Sequence, residues 1–168
     1  MTANNLELIP NQVVLGERNY EEALNLVIAC AENELLIFDA DFSRGGYTSQ
    51  KRFELINQFL AKQPQNRLTI VLLEAQFFTQ HCPRLFDLLK TYSHKMTVYK
   101  TNDAAKVAQD CFVIADNQYY IRRFNKDQAR FKFAFNDAEM VAQLTLRFSE
   151  LLEETTESIS LNQLGVSL

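Results

Sequence analysis

Glycine and proline are scarce in this chain, four and three residues out of 168, and no internal repeat or low-complexity tract is present. That scarcity excludes a largely disordered polypeptide. Cys30, Cys82 and Cys111 are odd in number, widely spaced and set among apolar residues, with neither a CxxC pair nor a His-x-Cys cluster. A disulfide framework is therefore excluded, no metal site or cofactor is expected, and the thiols read as reduced core residues. The two histidines, His81 and His94, read as surface or helix-capping residues. No apolar stretch approaches the ~20 residues that cross a bilayer, and Met1 to Asn11 lacks a basic segment followed by an apolar run. No membrane association is expected, and the default location is the cytoplasm.

What is present is core-forming material. Hydrophobic residues make up 47% of the chain, thirteen of them Phe, and charged residues 23%. A chain this long can bury roughly 70% of its unfolded surface around one core. The net charge of −4 names no partner by itself, but its distribution is uneven. Between Arg122 and Lys132 stand Arg122, Arg123, Lys126, Arg130 and Lys132 against one acid, Asp127, so the rest of the chain is markedly acidic. This allows either a local anion site or a solvated basic edge that discourages strand-to-strand aggregation, and does not support general nucleic-acid binding through overall charge.

Along the chain, Asn19 with Glu22 has the form of a helix cap, and Tyr20, Ala23, Leu24, Val27, Ile28 and Ala31 follow at helical spacing. Leu35 to Phe38 is a continuous apolar run suited to a strand covered on both faces. Ser43-Arg44-Gly45-Gly46 reads as a loop. A helix from Thr48 to Lys62, a strand over Leu68 to Leu73, a helix opening at Pro83 and a strand over Met96 to Tyr99 complete an alternating first half. Such a pattern predicts parallel strands, whose carboxyl ends gather Asp39, Asp41 and Glu74 at one edge. The second half changes character. Cys111 to Ala115 and Tyr119 to Phe124 flank a turn at Asp116-Asn117-Gln118, Arg130 to Phe135 alternates as a strand, and Asn136 with Glu139 caps a long helix. The expected organisation is a leader over 1–14, one domain over 15–157 and an apolar tail over 158–168 that docks on the domain or on a partner.

The hairpin carries the motif reading. Gln109-x-Cys111-x4-Asp116 followed by Arg122-Arg123-Phe124-Asn125 resembles the His-x-Lys-x4-Asp and Gly-Ser-x-Asn pair of the phospholipase D superfamily, and the order of elements over Leu15 to Thr155 resembles a single-repeat member. Asp116 and Asn125 match; Gln109 and Cys111 replace the histidine and lysine. The resemblance implies an α/β fold with a mixed, largely parallel sheet flanked by helices, and pairing of two copies as a homodimer. In the family the histidine attacks phosphorus and the lysine neutralises phosphate oxygens. Gln is neither nucleophile nor proton carrier and Cys supplies no positive charge, so no catalytic residue is expected at the motif.

Two functional readings follow. In the first, the domain is a catalytically inactive binding or regulatory module, for a phosphate-containing ligand or a protein partner, whose vestigial site comprises Gln109, Asp116, Arg122, Arg123, Asn125, Arg130 and Lys132. Guanidinium groups suit phosphate, although strand alternation sends Arg122 and Arg123 to opposite faces, with Arg130 or Lys132 joining whichever faces the site. In the second, the protein is a phosphodiesterase or nuclease with a non-standard site, for instance Asp39, Asp41, Glu74 and Asp116 around a divalent metal.

Overall fold

Two apolar clusters lie on opposite sides of one eight-stranded sheet, and the strand that separates them is the apolar run at residues 35–38. The computed structural model describes residues 8–159. Strand β2 (Glu34–Asp39) sends Leu35 and Ile37 into one cluster and Leu36 and Phe38 against the other. Period-2 alternation in a run apolar at every position requires cover on both faces. Helices α1 (Glu17–Ala29), α2 (Gln50–Lys62), α3 (Gln76–His81) and α4 (Pro83–Thr91) supply it on the first face, and α5 (Ala138–Glu153) on the second.

The remaining strands are β1 (Val14–Leu15), β3 (Arg67–Leu72), β4 (Met96–Thr101), β5 (Cys111–Ala115), β6 (Tyr119–Asn125), β7 (Gln128–Ala134) and β8 (Thr155–Ser158), in the order β1-β7-β6-β5-β2-β3-β4-β8. The sheet is mixed and flanked by helices, as expected. Parallel pairing joins β2, β3 and β4, the three strands of the alternating first half. The hairpins β5-β6 and β6-β7 pair antiparallel, because connections of a few residues cannot cross over to a parallel neighbour, and the edge strands β1 and β8 also pair antiparallel.

β5 runs antiparallel to β2, with Phe112 opposite Phe38 and Ala115 opposite Leu35. The start of β5 therefore meets the carboxyl ends of β2 and β3, whereas its end meets their amino ends. This decides which motif residues can share a site. The β5-β6 turn has Asp116 and Asn117 both at φ 57, with the Gln118 N–H donating to the Ala115 carbonyl at 3.0 Å. Asp and Asn tolerate that geometry.

Several boundaries differ from the sequence reading. α1 begins at Glu17, after Gly16 at φ 109, and Asn19 lies inside it with its side-chain amide donating to the Leu15 carbonyl. The last helix is capped by Asp137, which accepts from the Met140 N–H at 3.1 Å, one residue beyond Asn136. Pro83 opens α4, but the separate short helix α3 precedes it. Part of the expected leader adds to the sheet through β1, and Asn11 donates to the Phe133 carbonyl. Of the expected tail only Ser158 and Ile159 fall within the described residues; Ile159 is buried and donates to the Val98 carbonyl.

Candidate functional site

A cleft of ≈ 320 Å³ opens where β2 and β3 end and β5 begins. Its floor is Asp39, the last residue of β2, only 6% exposed. The carboxylate accepts the backbone N–H groups of Phe42 at 2.8 Å and Asp41 at 3.2 Å, so the following loop wraps around it. The Cys111 thiol lies within hydrogen-bonding reach. Burial dominates and raises the Asp39 carboxyl to about 6, although the amide and thiol contacts act the other way. Among the described residues no lysine or arginine forms an ion pair with Asp39. Cys111 is buried too, and burial followed by the Asp39 charge pushes its thiol well above the ordinary range.

The walls carry four cations, each with a carboxylate partner. Arg123, 1% exposed, meets the two carboxylate oxygens of Glu17 at 2.8 Å each, donates to the Asn125 carbonyl at 3.1 Å and lies over the Tyr20 ring at 4.9 Å. Burial works against its charge, but the Glu17 bonds outweigh it and hold the guanidinium firmly protonated. Glu17 is reciprocally held below the usual carboxylate range by the Arg123 bonds. This pair also puts a carboxylate at the start of α1, where the helix dipole favours it. At the rim, Lys106 contacts Glu74 at 2.5 Å and Asp103 at 3.2 Å. Lys126 contacts Asp127 at 3.3 Å. Arg44 reaches across from the β2-α2 loop to the Lys126 carbonyl at 2.8 Å and to Asp127 at 3.9 Å. That loop needs its glycines: Gly46 has φ 79, and a Cβ there would lie 2.4 Å from the Glu21 carboxyl carbon.

The seven residues read from the motif do not converge. Arg123 lines the cleft and Asn125 closes the strand beside it, its side chain accepting the Asp127 N–H at 2.8 Å. Gln109 is exposed just before β5, and its carbonyl accepts the Lys126 N–H at 2.7 Å. Asp116 is at the opposite edge of the sheet. There its carboxylate accepts three consecutive N–H groups, Glu32 at 2.8 Å, Asn33 at 2.7 Å and Glu34 at 3.0 Å, which ties the hairpin turn to the start of β2. Arg122, Arg130 and Lys132 stand on the sheet face opposite Arg123, because Arg122 pairs with Lys132 in the β6-β7 ladder and Arg130 follows with period 2.

Of the acids, Asp39, Asp41 and Glu74 do gather at the cleft. Asp116 cannot join them, and among the described residues no group of three or more His, Cys, Asp or Glu side chains is placed to hold a metal ion. No histidine lines the cleft. Beyond the motif and the basic cluster around it, the cleft also takes Glu17, Arg44, Lys106 and Tyr20, which arrive from α1, a loop and the 3-10 turn Asp103–Val107. Only the glycine pair beside Arg44 signalled any of them. No helix among the described residues is long and apolar enough to cross a membrane.

Residues 17–164 match the model of the family described as a domain of unknown function, DUF7931, and the chain belongs to that family. No curated protein matches the sequence. Among solved structures, the chain is similar to TrmBL2, an archaeal chromatin protein, with a TM-score of 0.66 at 16% identity over 88% of this chain. It spans about half, 52%, of that protein. It is also similar to the phospholipase D family member Nuc from Salmonella typhimurium, with a TM-score of 0.61 at 12% identity over 89% of this chain and 97% of that one. NucT from Helicobacter pylori gives 0.60 at 14% identity over 86% and 96%. At these identities the likeness establishes the fold, which is phospholipase D-like.

Proposed function

We propose that this domain is a phospholipase D-like binding module whose cleft takes a phosphate-containing ligand without cleaving it. Cys111 carries the reading. In the motif resemblance it takes the place of the lysine, and its thiol, kept neutral by burial and by Asp39, supplies neither a cation for phosphate oxygens nor a thiolate nucleophile. Gln109, at the histidine position, has no proton to shuttle near neutral pH.

What the cleft keeps is a rim of exchangeable cations. Lys106, Lys126 and Arg44 are partly exposed, and so are their partners Glu74, Asp103 and Asp127. Exposed ion pairs are worth ~0–1 kcal/mol, whereas a charge-assisted hydrogen bond to a partly enclosed phosphate is worth about 1.5–3 kcal/mol. An incoming phosphate therefore displaces these carboxylates at small cost. In the same reading the module is a homodimer, as the motif resemblance implies, which light scattering would check.

A second reading, a phosphodiesterase with a non-standard site, is favoured by Asp39 itself, since a carboxyl titrating near 6 in a cleft suits general acid-base work. Thermal shift with millimolar inorganic phosphate, a nucleotide and a phosphodiester separates the sources of phosphate, because only a bound species raises the midpoint. The first reading expects a shift that Lys106→Ala and Lys126→Ala each reduce. No shift with any of the three would remove it.

A further inference from the structure

The basic residues that do not reach the cleft form a surface of their own. On the outer face of β6 and β7, Phe124 is half-buried, and the guanidinium carbons of Arg122 and Arg130 each lie 5.5 Å from its ring centroid. Lys132 sits directly across the ladder from Arg122, and Arg130 follows about 6.7 Å along the strand from Lys132. Arg147 of α5 adds a fourth cation, and it shares the buried Asp110 with Arg122. Burial would raise the Asp110 carboxyl, but its bonds to Arg147 and Arg122 prevail and hold it below the usual range.

The charge balance distinguishes this strip from the cleft. Each cleft cation has a carboxylate partner, whereas among the described residues Asp110 is the one carboxylate ion-paired with the strip, and Arg130 and Lys132 form no ion pair. Four cations against one carboxylate stand out in a chain of net charge −4. A compact phosphate needs free donors that converge: Arg122 and Arg147 converge, but on Asp110, which already holds them, while Arg130 and Lys132 are spaced along a strand. Spread charges suit a linear polyanion. An aromatic ring with two guanidinium groups over it adds planar surfaces on which an unstacked base can lie, and a duplex presents no unstacked base.

We propose that this strip binds single-stranded nucleic acid, with Arg130, Lys132 and the exposed part of Arg122 meeting successive phosphates and Phe124 contacting a base. The surface shares no residue with the cleft, so either reading can fail alone. Fluorescence anisotropy of the full chain with a short labelled oligothymidylate, run across a salt series, tests it. With about three phosphates contacted, log Kd should rise with log salt at a slope of about 2. Arg130→Ala with Lys132→Ala should weaken binding tenfold or more while circular dichroism stays unchanged, since neither side chain is ion-paired or fully buried. Phe124→Leu should weaken the oligonucleotide but not a polyphosphate competitor, and Lys106→Ala in the cleft should leave affinity intact. Absence of binding at the lowest salt overturns the proposal. So does binding that survives the Arg130 and Lys132 changes, or a duplex bound as tightly with Phe124→Leu silent.

Discussion

Asp39→Asn should make the protein more stable at pH 8, although it removes a residue from the centre of the cleft. The carboxyl titrates near 6 in the fold, against 3.8 for an ordinary aspartate. The gap of about two pH units is worth about 3 kcal/mol. Its sign follows from proton counting. Between about pH 4 and 6 the folded protein binds the proton that the unfolded chain releases, so this group lowers stability as pH rises through that window, and the penalty is complete above about 6. Asparagine imitates the protonated form and avoids it. The amide oxygen is a weaker acceptor for the Phe42 and Asp41 N–H groups, which reduces the expected gain to about 1–3 kcal/mol. Denaturant unfolding at pH 4 and pH 8 measures it, provided both transitions are two-state. The variant should gain at pH 8, match wild type near pH 4 and show a flatter profile between. A variant destabilised at pH 8, or one that keeps the wild-type slope between pH 4 and 6, would refute the assignment of Asp39 as a buried carboxylate without a compensating cation.

Two further outcomes separate fold from site. Asp116→Ala removes the shared acceptor of three exposed N–H groups at the start of β2, which water can partly replace, and should cost about 0.5–2 kcal/mol by chemical denaturation, while leaving phosphate affinity of the folded fraction unchanged in calorimetry. Cys111→Lys should be tolerated because its ammonium can meet Asp39. In an Asp39→Asn background the same lysine is buried without a counterion and should cost several kcal/mol more, so a double-mutant cycle should report strong coupling and additive losses would contradict the contact.

The fold was legible where local chemistry decides it. The apolar run at Leu35 to Phe38, the Asp116-Asn117 turn and the alternating Phe131 and Phe133 each dictate a strand or turn without distant help. The edge strands were not, since β1 and β8 pair through backbone groups of short segments whose side chains carry no alternating signal. The site was half legible. Strand order brought Asp39, Asp41 and Glu74 to one edge, and alternation separated Arg122 from Arg123. Sequence proximity misled for Asp116, because five strand residues carry it from the cleft to the far edge, a distance of about 17 Å. It misled again for Arg130 and Lys132, whose face is set by the β6-β7 register. Glu17 neutralises Arg123 from 106 positions away, and no local pattern records that.

On the function proposed above, the cleft binds phosphate without breaking a phosphodiester bond. Phosphorus NMR of bis(p-nitrophenyl) phosphate with the wild-type protein, with and without magnesium or manganese, reads both properties at once. The diester resonance should broaden in the metal-free sample, should broaden less with Lys126→Ala, and should give way to no monoester signal on prolonged incubation with either metal. A monoester signal that grows with wild type and is abolished by Asp39→Asn would show cleavage, and a diester resonance that the protein leaves sharp would show that no phosphodiester binds.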